Sequence, residues 1–434
     1  MSPESSQPSR RSNNSFTLPY GDREILAALP AGRLAGIFAP RAVQPCRDPR
    51  EEIRRALLSP IGATSLGNAV RNSRKVVIIA DDMTRLTPLR LIIPELLEDL
   101  NQAGIEDSRI SILIGLGTHR PMSGDEIFRR FGREIMDRVA ICNHPWQDPE
   151  QLENLGLTPN GTPVSVCRMA LEADFLIGVG SIVPHHIPGF SGGAKIVQPG
   201  ITGAETTGAT HLLSVRADNS WLGILENPVR AEIEEVAEKV GLSAVFNCVL
   251  DQSGQLIRAF YGDFKAAFRA GAALSRRVYG VRVPGPCDIV LAGSFPCDIE
   301  FWQAHKTLYP AERIVRPGGR IIVVTPCPEG VAVTHREILD YAALPSARIL
   351  SMVESGEITD MVSGALALAW AKVREHAPVS LVSDGITAGE ASALGFTPFP
   401  SVAEALAEAF HSLGSDSSVA VLPKAPDTLP EIDG

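Results

Sequence analysis

Hydrophobic residues in this chain gather into short continuous runs instead of alternating strictly with polar residues. The runs at 75–80 and 320–325, for example, are dominated by valine and isoleucine. Such runs are typical of strands in a parallel sheet that is covered on both faces. The strands predicted in this way are 75–80, 110–116, 138–142, 175–179, 244–250, 288–292, 320–325 and 379–383.

Amphipathic segments with helical periodicity separate these runs. The segment 228–240 begins with a proline, as a first helical turn allows, and ends before Gly241. The predicted helices are 89–103, 228–240, 263–278, 357–375 and 401–412. Alternating strands and helices predict an α/β fold with mainly parallel sheets and right-handed crossovers.

A stretch rich in proline and glycine divides the chain near residue 280. It reads VRVPGPC at 281–287, after a predicted helix and before a new strand. At roughly 100–200 residues per domain, a chain of 434 residues has room for two domains. We therefore expect a disordered tail at 1–16, an α/β domain at 17–280, a second α/β domain at 281–412, and a tail at 413–434 that packs back on either domain.

Charge and hydropathy exclude several functional classes. Lysine and arginine number 40 and aspartate and glutamate 50, so the formal net charge is −10. An acidic chain without a dense basic run is a poor partner for nucleic acids or anionic membranes. No apolar run reaches the ~18–20 residues of a membrane span, and the first residues lack the apolar core of a secretory signal. The seven cysteines include no CxxC pair, so we expect them to be small core residues of a cytoplasmic protein.

Two polar segments follow predicted strands directly. The first, at 81–88, carries Asp82, Thr84 and Arg85 between a strand and a helix. Ligands of open α/β sheets bind at the carboxyl ends of strands, and a helix N-terminus favours phosphate or carboxylate. From position alone, a ligand site and a helix cap with a surface salt bridge are equally open. The second segment, at 115–120, places His119 at a strand end, where a general acid or base is well positioned.

A glycine-rich loop at 185–195 has the sequence HHIPGFSGGAK. Its glycines allow the backbone to approach a ligand closely. It is not a P-loop, because Lys195 follows an alanine and Ile196 replaces the residue that would hold magnesium. With His185 in the loop and His211 sixteen residues beyond it, Lys195 belongs to a group suited to metal binding or to nucleophilic chemistry.

A fourth candidate segment lies in the second half of the chain, at 298–306. Gln303 and Lys306 are three positions apart and would share one face of a helix, beside Trp302. A lysine and a carboxamide together suit a carboxylate ligand. Taken alone, however, the segment is better explained as the start of an ordinary amphipathic helix.

Together these segments resemble one family, the nickel-pincer-nucleotide-dependent lactate racemases and their 2-hydroxy-acid racemase and epimerase relatives. The resemblance runs from residues 20–21 to the proline-rich tail. It rests on DDxTR at 81–85, GTHR at 117–120, the glycine-rich loop at 185–195, His211 and WQAxK at 302–306. The order and spacing of five matching segments make a chance resemblance a poor explanation.

The resemblance implies a particular cofactor, held in a cleft between two α/β domains. This cofactor is pyridinium-3-thioamide-5-thiocarboxylic acid mononucleotide, the nickel-pincer nucleotide, which binds Ni(II) through two sulfur atoms and a carbon. Lys195 matches the lysine that is joined covalently to it, and His211 matches the fourth nickel ligand. Asp82, Thr84 and Arg85 match the segment that holds the nucleotide, with Arg85 also near the substrate.

The implied reaction is inversion at C2 of a 2-hydroxy acid by proton-coupled hydride transfer. His119 and His185 match the two catalytic histidines, while Trp302, Gln303 and Lys306 match substrate-binding residues. The implied partners are a small 2-hydroxy acid and the proteins that make and load the cofactor. Trp302 stands where lactate-specific members carry tyrosine, so we expect the substrate to be either lactate or a larger 2-hydroxy acid.

Two other functions stay open from the sequence. One is a metal-dependent hydrolase or lyase that holds zinc through His119, His185 and His211, although the lysine loop has no role in it. The other is a non-catalytic carrier of the nucleotide, which would need neither His119 nor His185. The remaining histidines are expected to be structural, with one near the cleft at 144 and the others at surface or helix positions at 305, 335, 376 and 411.

Overall fold

The computed structural model describes residues 14–217 and 220–432. Its first strands are β1 (Asn14–Tyr20), β2 (Arg23–Leu29), β3 (Leu34–Ile37), β4 (Val76–Asp81), β5 (Ile110–Gly115), β6 (Ala140–Asn143), β7 (Leu152–Leu157), β8 (Pro163–Cys167), β9 (Phe175–Ser181) and β10 (Pro184–His185). They are followed by β11 (Gly189–Phe190), β12 (Ala244–Leu250), β13 (Leu256–Gly262), β14 (Gly280–Val283), β15 (Cys287–Gly293), β16 (Val315–Val324), β17 (Val379–Val382), β18 (Thr397–Pro398), β19 (Val419–Leu422) and β20 (Leu429–Ile432).

Helices alternate with these strands along most of the chain. They are α1 (Pro49–Leu58), α2 (Leu66–Ala69), α3 (Leu89–Gln102), α4 (Gly124–Phe131), α5 (Arg133–Met136), α6 (Arg168–Leu171), α7 (Ala204–Val215), α8 (Pro228–Val240), α9 (Ala266–Tyr279), α10 (Phe301–Ala304), α11 (Leu308–Ile314), α12 (Ser346–Glu354), α13 (Met361–His376), α14 (Ala388–Ala393) and α15 (Val402–Leu413). Within the described residues, no helix has both the length and the apolar character that crossing a bilayer requires.

The first large sheet carries three of the predicted site segments at its strand ends. Its order is β13-β12-β9-β4-β5-β6, and each pair is parallel except β12 with β13. The chain adds β5 and β6 on one side of β4, then returns to place β9 and β12 on the other side. The winding therefore reverses between β4 and β9, the position at which open α/β sheets bind ligands.

The second large sheet repeats this arrangement. Its order is β18-β17-β16-β15-β19-β3, and every pair is parallel. Here the winding reverses between β15 and β19. The chain that leaves β15 reaches α10, which carries Trp302 and Gln303, and both side chains line the same cleft as the ends of β4 and β5. The predicted α/β fold with mainly parallel sheets is confirmed.

Strand β4 explains why its sequence is a continuous apolar run. Each of its residues is buried. Val76, Ile78 and Ala80 pack into the core that includes α3, whereas Val77 and Ile79 pack into the core that includes α8. A strand that is covered on both faces needs apolar residues at every position, as the sequence pattern indicated.

Strands near both ends of the described chain, β3 and β19, join the second sheet, so this sheet extends beyond the predicted range 281–412. Residues 1–13 of the predicted tail lie outside the described residues, and 14–16 already belong to β1. Strand β3 falls within the predicted first domain, 17–280, yet it pairs with β19. The segment 413–434 supplies β19 inside the sheet and β20 beside β14. An apolar pattern predicts that a strand is buried, but it does not say which sheet receives it.

The packing of the β1–β2 hairpin on the second sheet predicts a specific cost for truncating its buried face. Leu18 is fully buried in the core formed with β15 and β16. We expect Leu18→Ala to lower the free energy of unfolding by about 2–5 kcal/mol, because it leaves a cavity. Urea denaturation measures this change.

The matched control is Leu26→Ala in the other strand of the hairpin. Leu26 is 72% exposed, so its truncation should change stability by less than about 0.5 kcal/mol. Equal effects of the two substitutions would contradict the packing of the hairpin described above.

Candidate active site

The predicted site segments converge on one cleft between the two large sheets. The cleft encloses about 1060 Å³ outside the protein atoms, part of which is open to solvent. The predicted site side chains that line it are Asp82, Arg85, His119, His185, Lys195, His211, Trp302, Gln303 and Lys306. Thr84 lines an adjoining pocket that shares Arg85, His185 and Lys306 with the cleft.

Asp82 connects the end of β4 with His119 beyond the end of β5. Its Oδ2 atom lies 2.6 Å from Nδ1 of His119, and its Oδ1 atom accepts bonds from the backbone and hydroxyl of Thr84. Burial alone would raise the pKa of Asp82, but His119, Arg85 and Thr84 hold it well below its usual value. Asp82 is therefore a carboxylate, and Nδ1 of His119 carries the proton that it accepts.

The opposite nitrogen of His119 faces the second domain. Its Nε2 atom lies 2.8 Å from the side-chain nitrogen of Gln303, which donates because Nδ1 of His119 already holds the proton. The amide oxygen of Gln303 accepts a bond from Lys306. His119 thus presents an unprotonated Nε2 to the cleft, the arrangement that a general base requires.

Arg85 and Asp81 show that the segment after β4 is not a helix cap. Helix α3 begins after Pro88 without a side-chain cap. Asp81 accepts bonds from Arg130 and Thr87, which fixes the end of the strand. The guanidinium of Arg85 donates to the hydroxyl of Thr84 at 2.8 Å and lines the cleft. The surface salt bridge left open by the sequence is therefore not what these residues form.

The glycine-rich loop is held open by contacts that larger residues would not allow. Gly192 has φ +82°, and a Cβ there would lie 2.6 Å from Ile182. A Cβ on Gly189 would lie 2.0 Å from the carbonyl oxygen of Ile224. Ser191 is buried and donates its hydroxyl to the carbonyl of Ser181 at 2.8 Å, so it serves the loop and not chemistry.

Two side chains that the sequence analysis missed clamp this loop. Arg230 on α8 is 1% exposed and donates to the carbonyl oxygens of Pro188, Phe190 and Gly192. Asn247 in β12 accepts a bond from the backbone of Gly193 at 2.9 Å. A polar residue inside the apolar run of β12 was the one available sign of such a role.

Lys195 is presented by a 3₁₀ turn at Gly193–Ile196 and lines the cleft. Burial, together with the nearby charges of Arg85, Lys306 and Arg230, lowers the pKa of its amine well below its usual value. A lysine in this environment loses its proton at a lower pH than an exposed lysine does. Neutral amines are nucleophiles, which is the property that covalent attachment needs.

His211 and His185 each have one nitrogen fixed by the backbone. Nδ1 of His211 on α7 lies 2.8 Å from the carbonyl of Thr207, so this nitrogen carries a proton and Nε2 keeps its lone pair. Burial, with Lys195 nearby, lowers the pKa of His211 to about 3. Nδ1 of His185 instead accepts a bond from the backbone of Ile187 at 3.2 Å, which leaves its proton on Nε2.

The second domain contributes a short helical segment to the cleft. Gln303 lies in α10 and Lys306 in the 3₁₀ turn that follows, and their hydrogen bond confirms that they share one face. Burial and the nearby Arg85 lower the pKa of Lys306 to about 8. The carboxyl of Asp427, which the sequence analysis missed, lines the adjoining pocket, and burial raises its pKa to about 6.

Two histidines expected at surface or helix positions are instead buried at the junction of the domains. His305 is 3% exposed and His335 is 2% exposed. His305 shares a hydrogen bond with Tyr309 at 3.0 Å, and the ring of Tyr309 stacks on His186 with centroids 3.9 Å apart. His305 does lie in a helical turn, as expected, but for His335 the expectation was wrong, because a sequence does not reveal which residues meet the other domain.

Comparison with known proteins agrees with this geometry. The family model for the lactate racemase N-terminal domain matches residues 20–223, and that for the lactate racemase C-terminal domain matches 283–427. The chain belongs to the lactate racemase family. It is accordingly an isomerase of the racemase type, as the sequence predicted.

Individual members of the lactate racemase family match over most of their length. The lactate racemase of Thermoanaerobacterium thermosaccharolyticum is 28% identical over 94% of this chain and 96% of its own. That of Lactiplantibacillus plantarum is 32% identical over 72% of this chain and 75% of its own. The solved apoprotein of the former superposes with a TM-score of 0.87 at 26% identity, covering 96% of this chain and all of its own.

The lowered pKa of Lys195 generates a prediction for the protein without cofactor. Cyanate reacts with unprotonated amines only, so at pH 7 it should carbamylate Lys195 at least about tenfold faster than the exposed Lys239. Peptide mass spectrometry over time measures both rates. Equal rates for the two lysines would contradict the environment assigned to Lys195.

Proposed function

We propose that this chain inverts C2 of a 2-hydroxy acid, lactate or a larger relative, with a nickel-pincer nucleotide attached to Lys195. The observation that carries the proposal is that two side chains of complementary chemistry line the same cleft. Lys195 offers an amine whose pKa is lowered well below its usual value by burial, and His211 offers an imidazole nitrogen with a free lone pair. One suits covalent attachment and the other suits a metal.

The residues around these two fit a mononucleotide and its metal. Ligand sites often lie between domains, and this cleft is lined by residues of both domains. Gly192 and Gly193 leave the backbone beside Lys195 bare of side chains. Nε2 of His211 would hold the nickel of the bound cofactor, since imidazole nitrogen is a ligand that suits Ni(II). Asp82, Thr84 and Arg85 would hold the nucleotide side.

The bound cofactor would supply a carbon that takes the C2 hydride of the substrate and later returns it. The protein moves the hydroxyl proton. Nε2 of His119 is unprotonated because Asp82 holds the proton on Nδ1, so His119 accepts the hydroxyl proton as the 2-oxo acid forms and gives it back to the oxygen when the hydride returns to C2. The positive charge that then develops on His119 lies beside the carboxylate of Asp82, which stabilises it.

His185 begins from the opposite state. Its Nε2 carries the proton because Nδ1 accepts the backbone bond from Ile187. In this arrangement His185 donates a hydrogen bond to the substrate oxygen. It takes over as the base for the other enantiomer once its proton moves to Nδ1 and the bond to Ile187 is released.

Two cations hold the substrate carboxylate and fix its distance from the base. Arg85 and Lys306 line both the cleft and the adjoining pocket. Gln303 already donates to Nε2 of His119, so a substrate hydroxyl would replace this contact when it binds. Trp302 is buried beside Gln303 and would set the shape of the pocket for the C2 substituent.

The alternatives find less support in the geometry. Within residues 14–217 and 220–432, the one group of three potential metal ligands whose atoms lie within 4.8 Å is His335, Glu337 and Asp360. The three histidines of the proposed zinc hydrolase do not form such a group. A carrier would not require the Asp82–His119 pair.

Loading with cofactor tests the proposal directly. The wild-type protein, from cells that also make the pincer cofactor, should carry a covalent adduct on Lys195 and about one nickel per chain. Lys195→Ala should lose the adduct, whereas His211→Ala should keep the adduct and lose nickel. Intact-mass and metal analysis read these outcomes, with His411→Ala as an exposed control. Full racemisation by the Lys195→Ala protein would contradict the proposal.

The pKa of Lys306 predicts how substrate binding depends on pH. A lysine with a pKa of about 8 is charged below that pH and neutral above it, so the KM for a 2-hydroxy acid should rise above pH 8. Asp427 raises the pKa of Lys306, so Asp427→Asn should move the rise to lower pH. Lys306→Arg keeps its charge and should remove the rise. A KM that rises above pH 8 in the Lys306→Arg protein would contradict this assignment.

A further inference from the structure

His335 is a buried histidine of the second domain that the proposed chemistry does not use. Its Nδ1 atom lies 2.5 Å from the carboxylate of Asp360, and its Nε2 atom lies 2.9 Å from the hydroxyl of Thr118. Asp360 is itself fixed at the start of α13, where it accepts backbone bonds from Val362 and Ser363. Both nitrogens of His335 therefore have defined partners, one in each domain.

The hydroxyl of Thr118 belongs to the segment that carries the base. Thr118 immediately precedes His119, and its carbonyl oxygen accepts a second bond from the hydroxyl of Thr334 at 2.9 Å. Two adjacent residues of the second domain thus hold one residue of the first. Arg120, on the other side of His119, forms an ion pair with Glu329 of the second domain, with a shortest distance of 2.6 Å.

Aromatic stacking extends this contact to both sides of the cleft. The ring of His335 stacks on Trp302, with centroids 4.2 Å apart and planes 15° apart. It also stacks on Trp146 of the first domain, at 5.8 Å and 22°. The indole nitrogen of Trp146 donates to the carbonyl oxygen of His119 at 2.9 Å. The ring of His335 therefore contacts both Trp302 of the second domain and Trp146 of the first.

We propose that His335 is a positioning residue that couples the approach of the two domains to the placement of His119. When the domains meet, His335 orients Thr118, and Trp146 orients the carbonyl of His119, so Nε2 of the base is set against Gln303. When they part, the segment 116–121 loses its contacts with the second domain. This inference rests on the proposed role of His119, but the contacts of His335 with the segment 116–121 can be tested without measuring enzyme activity.

The opposing interpretation is a metal site. The ligand atoms of His335, Glu337 and Asp360 lie within 4.8 Å of one another. However, Glu337 is exposed, and both nitrogens of His335 are already hydrogen-bonded. The cluster therefore carries no metal proposal by itself, and the experiment treats a metal as an outcome.

Two substitutions at His335 separate its two hydrogen bonds. His335→Gln keeps an amide near the position of Nε2 and can still reach Thr118, whereas His335→Asn reaches Asp360 only. Since a displacement of about 1 Å can cost roughly 10²-fold in rate, we expect His335→Asn to lower kcat by about 10–100-fold with little change in KM. His335→Gln should retain most of kcat.

The partner residue supplies a matched pair of variants. Thr118→Val removes the hydroxyl at nearly constant volume and should resemble His335→Asn, while Thr118→Ser keeps the hydroxyl and should resemble wild type. Exposed His411→Asn is the control. If His335→Gln lost as much kcat as His335→Asn, the bond to Thr118 would not be the one that matters, and the proposal would fail.

Amide hydrogen exchange in the protein without cofactor gives a readout that is independent of the reaction. Residues 116–121 should exchange faster in His335→Asn and Thr118→Val than in wild type, and His335→Gln should not differ. Unchanged exchange in His335→Asn would overturn the coupling even if racemisation were established. If the loaded wild type proved inactive towards 2-hydroxy acids, faster exchange would still support the coupling.

Two separate experiments test whether the cluster of His335, Glu337 and Asp360 binds a metal. In the first test, Glu337→Gln would lose activity if the cluster held a metal. In the second, wild-type enzyme would lose activity on chelation under conditions that spare the nickel and recover it when a divalent cation is added. Both results together would assign the cluster to a metal and overturn the proposal. We expect Glu337→Gln to retain the kcat and the exchange behaviour of wild type, because it leaves both hydrogen bonds of His335 in place.

Discussion

The hydrogen bond between Asp82 and His119 determines which nitrogen of the histidine faces the cleft. The bond is available because β4 and β5 are adjacent parallel strands, so their carboxyl ends lie side by side. Once Nδ1 is committed to Asp82, Nε2 must point towards the second domain, where Gln303 meets it. In each sheet, the strand ends at which the winding reverses face the same cleft. His119 and Gln303 can therefore meet without long loops.

Desolvation is the second constraint on this cleft. Lys195, Lys306 and Arg85 line the same cleft, and burial disfavours the charged forms of the two lysines. Burial lowers the pKa of Lys195 well below its usual value, while Lys306, with a pKa of about 8, keeps its charge at neutral pH. Covalent attachment would leave Lys195 without a charge at any pH. The two remaining cations would then be free for the carboxylate of the substrate.

The sequence predicted the continuous strands and the segments at their ends, because burial on both faces and strand-end position leave clear patterns. Strand β12 and helix α8 coincide with their predicted ranges, 244–250 and 228–240. The pattern did not reveal that β3 joins the second sheet. It also missed Arg230 and His335, since their roles depend on contacts between segments far apart in the chain.

The central claim is that C2 is inverted by transfer of a hydride while His119 handles only the hydroxyl proton. Racemisation by the loaded enzyme in D₂O, starting from a single enantiomer with protium at C2, tests this claim most directly. Our account predicts that the opposite enantiomer forms with protium retained at C2, because the hydride never exchanges with solvent. Deuterium at C2 of the product, read by NMR or mass spectrometry, would show a proton abstracted from carbon and would contradict it.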